Sequence, residues 1–73
     1  MIPQEVFLKE LAREIKRARV RVGKSQIDVL QEAKIHVGRI EQGDHSIQLY
    51  TYYRLCEYLN IDMAQILQQI KKA

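Results

Sequence analysis

Ser25-Gln-Ile-Asp-Val-Leu-Gln-Glu-Ala-Lys-Ile-His-Val-Gly-Arg-Ile-Glu-Gln-Gly43 is the stretch that decides the fold. Ser25 reads as a helix N-cap, and Asp28, three residues on, is a weaker substitute for the Glu or Gln of a capping box. A short helix over 26–32 follows, with Ile27, Val29 and Leu30 as its apolar residues, and it ends at Ala33-Lys34. A new apolar stripe of Ile35, Val37 and Ile40 predicts a second short helix over 35–42, closed by Gly43-Asp44. Helices of seven or eight residues are unstable alone. Two in succession must be held by the rest of the core, and a small protein builds such a pair when one short helix has to project.

On the N-terminal side, Phe7, Leu8, Leu11, Ile15, Ala18 and Val22 recur at three- and four-residue steps, the period of a helix with one buried stripe. Pro3 suits its first turn and Gly23 its end, so the helix is expected over 4–22. Glu5 near its start and Arg19 and Arg21 near its end agree with the helix dipole. Beyond Gly43, residues 44–48 are a polar connection in which Ser46 or Gln48 is available as a cap. Leu49, Tyr52, Tyr53, Leu55, Cys56 and Leu59 then predict a helix over 49–59, ended at Asn60. Asp62 caps a last helix over 63–71 that carries Met63, Ile66, Leu67 and Ile70. Nothing alternates with period two, so no sheet is expected. The chain, 1–73, reads as one compact all-α domain of five short helices.

The 73 residues include 12 Lys plus Arg against 9 Asp plus Glu, a net charge of +3. Ordering a chain of this length costs roughly 110 kcal/mol, which a single small core only just offsets. Marginal stability, or help from a second copy, is expected. One Cys and two separated His provide neither an intramolecular disulfide nor a zinc-ligand set, so no metal and no cofactor are expected. The N-terminus lacks the pattern of a signal peptide, and no run of about 18 apolar residues occurs, so the expected location is the cytoplasm and no membrane partner is expected. A substrate pocket typically needs ~300 Å³ or more, which so thin a core rarely spares. Paired carboxylates, a nucleophile with its base and a phosphate-cradling Gly loop are all missing, and Cys56 lies on an apolar stripe; a binding module is favoured over an enzyme. The basic excess sits between Lys9 and Lys24, is compatible with a nucleic-acid partner, and in large part reads as a solvated helix face.

Three segments, Arg21-Val-Gly-Lys-Ser-Gln26, Gly38-Arg-Ile-Glu-Gln-Gly43 and Tyr53-Arg-Leu-Cys-Glu-Tyr-Leu-Asn-Ile61, together resemble the phage repressor and Cro type of helix-turn-helix, the XRE-like family, over roughly residues 8–68. The resemblance implies a lambda-repressor-like five-helix DNA-binding domain with a central helix-turn-helix, its first short helix crossing the DNA backbone and its second entering the major groove. From Ser25 to Gly43 the chain is about three residues shorter than the commoner spacing. Ile35-His-Val-Gly-Arg-Ile-Glu41 matches a short-turn variant, in which base contacts of the first turn fall to Lys34, His36 or the turn backbone.

The resemblance makes Arg39 a base-reading candidate, in keeping with Arg as the commonest specific partner of guanine. His36 either donates to DNA or caps the helix, and Lys34 meets a base or, as a point charge, a phosphate. Gly38 permits close approach to the groove floor or tight packing between helices. Gln26 is expected to anchor the first short helix on a phosphate, with Lys24, Ser25, Gln42, His45 and Ser46 as further phosphate candidates; Ser25 is more securely a cap. Asp44 stands where a basic residue is more usual. Arg19 and Glu41 match the family's structural ion pair. Tyr52 and Tyr53 are expected to lean toward the core and Tyr50 and Tyr58 outside it. Met63, Ile66, Leu67 and Ile70, with Tyr58, are the expected interface of a homodimer that spaces two reading helices ~34 Å apart. The function implied is sequence-specific binding of double-stranded DNA by a small bacterial transcriptional regulator. The alternative is a protein-interaction module on the same scaffold, such as an antitoxin or a regulator's partner.

Overall fold

In the computed structural model, which describes residues 1–72, extended Pro3 leads into α1, Gln4–Arg21, followed by α2, Gln26–Ala33, α3, Val37–Glu41, α4, Leu49–Tyr58, and α5, Met63–Lys72. No strand occurs among the described residues, and no helix among them is long and apolar enough to cross a membrane. The chain forms a compact all-α domain. Its core gathers around α1, whose Leu11, Ile15 and Ala18 meet Val29 of α2, Val37 of α3, Leu55 and Cys56 of α4, and Ile66 and Ile70 of α5.

The helix ends follow from local chemistry. α1 and α4 stop in the same way. The N–H of Lys24 donates to the Arg19 carbonyl and that of Gly23 to Val20; the N–H of Ile61 donates to Cys56 and that of Asn60 to Glu57. Gly23 and Asn60 both lie in the left-handed region, as this cap requires. Ser25 and Asp28 form a complete capping box at α2, Ser25 Oγ accepting from the Asp28 N–H at 3.0 Å and Asp28 Oδ2 from the Ser25 N–H at 2.8 Å. Asp62 Oδ1 accepts from the Ala64 N–H at the start of α5. At Gly43, φ is +75° and an added Cβ would lie 3.0 Å from Lys9 Cδ and 3.3 Å from Ala12 Cβ, so both backbone conformation and the closeness of α1 demand glycine there.

Several expectations are corrected. α3 starts at Val37 rather than Ile35, because Lys34 adopts a left-handed conformation (φ 59°) that turns the chain and drops Ile35 into the core from outside any helix. His36 becomes the N-cap residue and makes no side-chain cap bond; likewise Gln48 precedes α4 without a side-chain cap. Ile66 and Ile70 form no exposed interface: α5 packs along α1 and both are buried in the chain's own core, with Met63 packed against it, while Leu67 stays exposed. Tyr58 is half-buried and its hydroxyl donates to Glu32, so it too is engaged within the chain. Tyr53, expected toward the core, is exposed and stacks on Tyr50, whereas Tyr52 is buried and donates to the Met63 carbonyl at 2.6 Å.

Candidate nucleic-acid interface

The short α3 is anchored by its last residue. Glu41 Oε2 and Oε1 accept from Arg19 Nε at 2.6 Å and Nη2 at 2.9 Å, a bidentate pair whose side chains are 6% and 10% exposed. The third edge of the guanidinium donates through Nη1 to the Lys24 carbonyl at 2.9 Å. The hydrogen bonds that Arg19 donates to Glu41 hold the Arg19 pKa above its ordinary value. Planar, two-point pairing of this kind fixes orientation as well as distance. It ties α3 and the α1–α2 connection to one point on α1.

Gln26 extends that network. Its Nε2 donates to Glu41 Oε1 at 3.1 Å, so the side chain expected on a phosphate is instead drawn toward α3. Gly38 makes the room: a Cβ there would sit 3.0 Å from Gln26 Oε1. Of the two uses open to Gly38, the structure supplies the packing one.

On its outer side α3 stands as a ridge between two clefts. The first, about 370 Å³, is lined by Lys34, His36, Arg39, His45 and Arg54 with Ser46, Thr51 and Gln48, and no carboxylate is among its lining residues. The second, about 350 Å³, lies between α2 and α3, where Gln26, Gln42, His36 and Arg39 meet Ile27 and Leu30. His36 and Arg39 thus border both clefts. Arg39 makes no side-chain hydrogen bond or ion pair among the described residues. A cationic concavity next to an apolar strip can engage phosphates on one side and a thymine methyl on the other.

The structure therefore brings Lys34, His36, Arg39, His45 and Ser46 to one cleft, and Gln26, Gly38 and Gln42 to the other. His45 is not unencumbered, since Nδ1 lies 2.6 Å from Asp44 Oδ1. Ser46 Oγ accepts from Gln4 Nε2 at 3.4 Å. The Gln42 carbonyl accepts from Lys9 Nζ at 3.2 Å, which caps the end of α3. Ser25 is spent on its capping box. Lys24 departs furthest from its expected place, pairing with Glu32 at 2.9 Å while lying 5.9 Å from the centre of the Tyr58 ring. The Tyr58 hydroxyl first, and then Lys24, hold the Glu32 carboxyl below its ordinary range.

No protein-family model matches the chain, and no curated protein matches it.

Arg54, Ile27 and Leu30 are the residues that sequence reasoning left out of the site. Arg54 donates to the carbonyl of Ala33 at the end of α2, bridging α4 to the turn before α3. It is the lone cation of α4 and lies off that helix's apolar stripe, which is a readable pattern. Of the three apolar residues of α2, Val29 takes the core position while Ile27 and Leu30 are exposed.

Proposed function

We propose that this chain is a small bacterial transcriptional regulator of the phage repressor and Cro type, a lambda-repressor-like helix-turn-helix domain that binds double-stranded DNA sequence-specifically as a homodimer in the cytoplasm. α2 lies across the DNA backbone and α3 enters the major groove, with Arg39 and His36 toward base edges and Lys34, His45 and Ser46 toward phosphates. The observation that carries this reading is the α3 ridge: an unpaired Arg39 at its crest, a carboxylate-free cationic cleft on one flank, and a buried Arg19–Glu41 clamp at its base. Five residues of helix have no stability of their own. A clamp that rigid is what a short reading element needs to hold a fixed register against base pairs.

The competing reading is a protein-interaction module, an antitoxin or a regulator's partner. It is favoured by the groups that carboxylates already occupy, Lys24 by Glu32 and the His45 ring by Asp44. Anisotropy of a labelled duplex, titrated with protein across salt, separates the two. Specific DNA binding through six or so phosphate contacts loses about 10³-fold or more in affinity between 50 and 200 mM salt. A chain with no DNA affinity at the lower salt, and with a salt-insensitive protein complex instead, overturns the DNA reading.

A further inference from the structure

Four described residues hold a left-handed backbone, and three of them, Gly23, Gly43 and Asn60, are of types that take it readily. The fourth is Lys34, with φ 59° and ψ 36°. Glycine would make that turn without strain; what it would lack is a side chain. Strained backbone gathers at ligand sites, and here it places a lysine on the wall of the cleft of about 370 Å³ beside α3. The cleft draws its permanent cations from separate parts of the chain: Lys34 from the turn after α2, Arg39 from α3 and Arg54 from α4. Elsewhere carboxylates take up Arg13, Arg17, Arg19 and Lys24; among the described residues none pairs with Lys34, Arg39 or Arg54. Arg54 is steadied by its bond to the Ala33 carbonyl. Ser46, Gln48 and Thr51 add hydroxyl and amide donors, and buried Ile35 with half-buried Ile40 and Ile47 gives the cleft an apolar lining. Asp44, which pairs with the His45 ring, is not among the lining residues.

We infer that this cleft binds a small free oligophosphate, two linked phosphates with a free end being the group it recognises, and that such an anion competes with DNA for Lys34 and Arg39. The competition rests on the DNA-binding reading; the binding does not. A duplex strings single charges along its axis. A terminal phosphate carries about 1.5–2 charges at pH 7, so two linked phosphates bring about three into one small volume. Lys34, Arg39 and Arg54 are the three cations that match them. A phosphate also presents three oxygens in different directions, which suits donors converging from a turn and two helices. The planar fork of an arginine takes two of those oxygens, and lysine meets another as a point charge. The volume lies at the small end of the ~300–1,000 Å³ of ligand pockets, fitting a compact anion. The apolar lining lowers the local dielectric and strengthens each charged contact.

Isothermal titration calorimetry of the full chain at low salt tests the binding, with sodium pyrophosphate as the probe and orthophosphate and citrate beside it at matched ionic strength. Pyrophosphate should saturate at one per chain, more tightly than citrate and about 10-fold or more tightly than orthophosphate, which lacks the further charge-assisted hydrogen bonds. Lys34→Gly should lose about 10-fold or more in pyrophosphate affinity while melting at or above the parent's temperature, because the backbone strain leaves with the side chain. Arg39→Gln should lose as much affinity. Lys16→Gln, which removes an exposed cation of α1 outside the cleft, should bind pyrophosphate as the parent does. A parent without saturable pyrophosphate binding overturns the inference. So does citrate bound as tightly as pyrophosphate, or a Lys16→Gln variant that loses as much as Lys34→Gly, the behaviour of a diffusely basic surface. Anisotropy of a labelled duplex reads the competition: pyrophosphate should release DNA over the concentrations that fill the cleft, and release no greater than sodium chloride of the same ionic strength causes overturns it. A chain that binds DNA but not pyrophosphate removes this inference alone; one that binds pyrophosphate but no DNA removes the DNA reading alone.

Discussion

Glu41→Ala isolates what the clamp beneath α3 contributes. The substitution removes both acceptors of Arg19 Nε and Nη2 and leaves the guanidinium with the Lys24 carbonyl, in a site where its side chain is 10% exposed. Stranding one partner of a buried pair costs about 3–5 kcal/mol. A 73-residue domain has roughly 4–11 kcal/mol of stability in total, so the variant should lose a large share of it. At about 4–8 °C per kcal/mol for a chain of this size, the melting temperature should fall by ~12 °C or more. Thermal unfolding followed by circular dichroism reads this directly. The double variant Arg19→Met with Glu41→Leu removes both charges and should recover most of the loss, because a buried pair exchanged for apolar groups of similar volume is often near neutral. A Glu41→Ala protein that melts within ~2 °C of the parent would refute the idea that the pair holds the scaffold.

Other substitutions and conditions separate structural from DNA-facing roles. Gly43→Ala must take a left-handed backbone conformation against Lys9 and Ala12 of α1, and it should cost about 1–3 kcal/mol in denaturant unfolding. Gly38→Ala meets only the far end of the Gln26 side chain and gains helix propensity of about 0.5–1 kcal/mol; stability should be kept or raised, and weakened DNA binding by the stable variant would mean that the glycine also serves close approach to the groove. Arg39→Ala should leave the melting temperature in place and relax base preference at one position by about 1–3 kcal/mol, measured against a panel of mutated duplexes. Stability should also be bounded on both sides in pH. Burial raises the Tyr52 hydroxyl and the Cys56 thiol above their ordinary 10.0 and 9.0, so their contribution is whole below those values and lost as pH climbs through the native ones. The Ser25 N–H lowers Asp28, and the Tyr58 hydroxyl with Lys24 lowers Glu32, from ordinary values of 3.8 and 4.5; that contribution is whole above those values and lost as pH falls. A melting temperature plotted against pH should show both limbs, with Tyr52→Phe flattening the alkaline one.

The five helices were legible because their punctuation is local: Pro3, the Ser25 and Asp28 box, Gly43, Asn60 and Asp62 each act within a turn of their own position. The start of α3 was not, since Lys34 is not a residue that advertises a left-handed conformation, and Ile35 keeps the apolar rhythm while lying outside the helix. An apolar stripe names a buried face without naming what buries it. Ile66 and Ile70, apolar enough to suit a second copy, are buried in the chain's own core against α1, and apolar Ile27 lies exposed. Arg54 joined the cationic cleft through its bond to Ala33, 21 residues away, a proximity that no periodicity encodes. The resemblance puts Gln26 on a phosphate, whereas in the structure its amide Nε2 donates to the carboxylate of Glu41.

Selection of bound sites from a pool of random duplex DNA by the purified chain tests the DNA-binding reading most directly. A sequence-specific dimer with one α3 in each of two major-groove segments should enrich a palindromic or near-palindromic site, its half-sites centred about 10–10.5 base pairs apart. The same selection with Arg39→Ala should return that site with one position per half relaxed. A pool that shows no enrichment over input at low salt, from protein that is folded by circular dichroism, would contradict it.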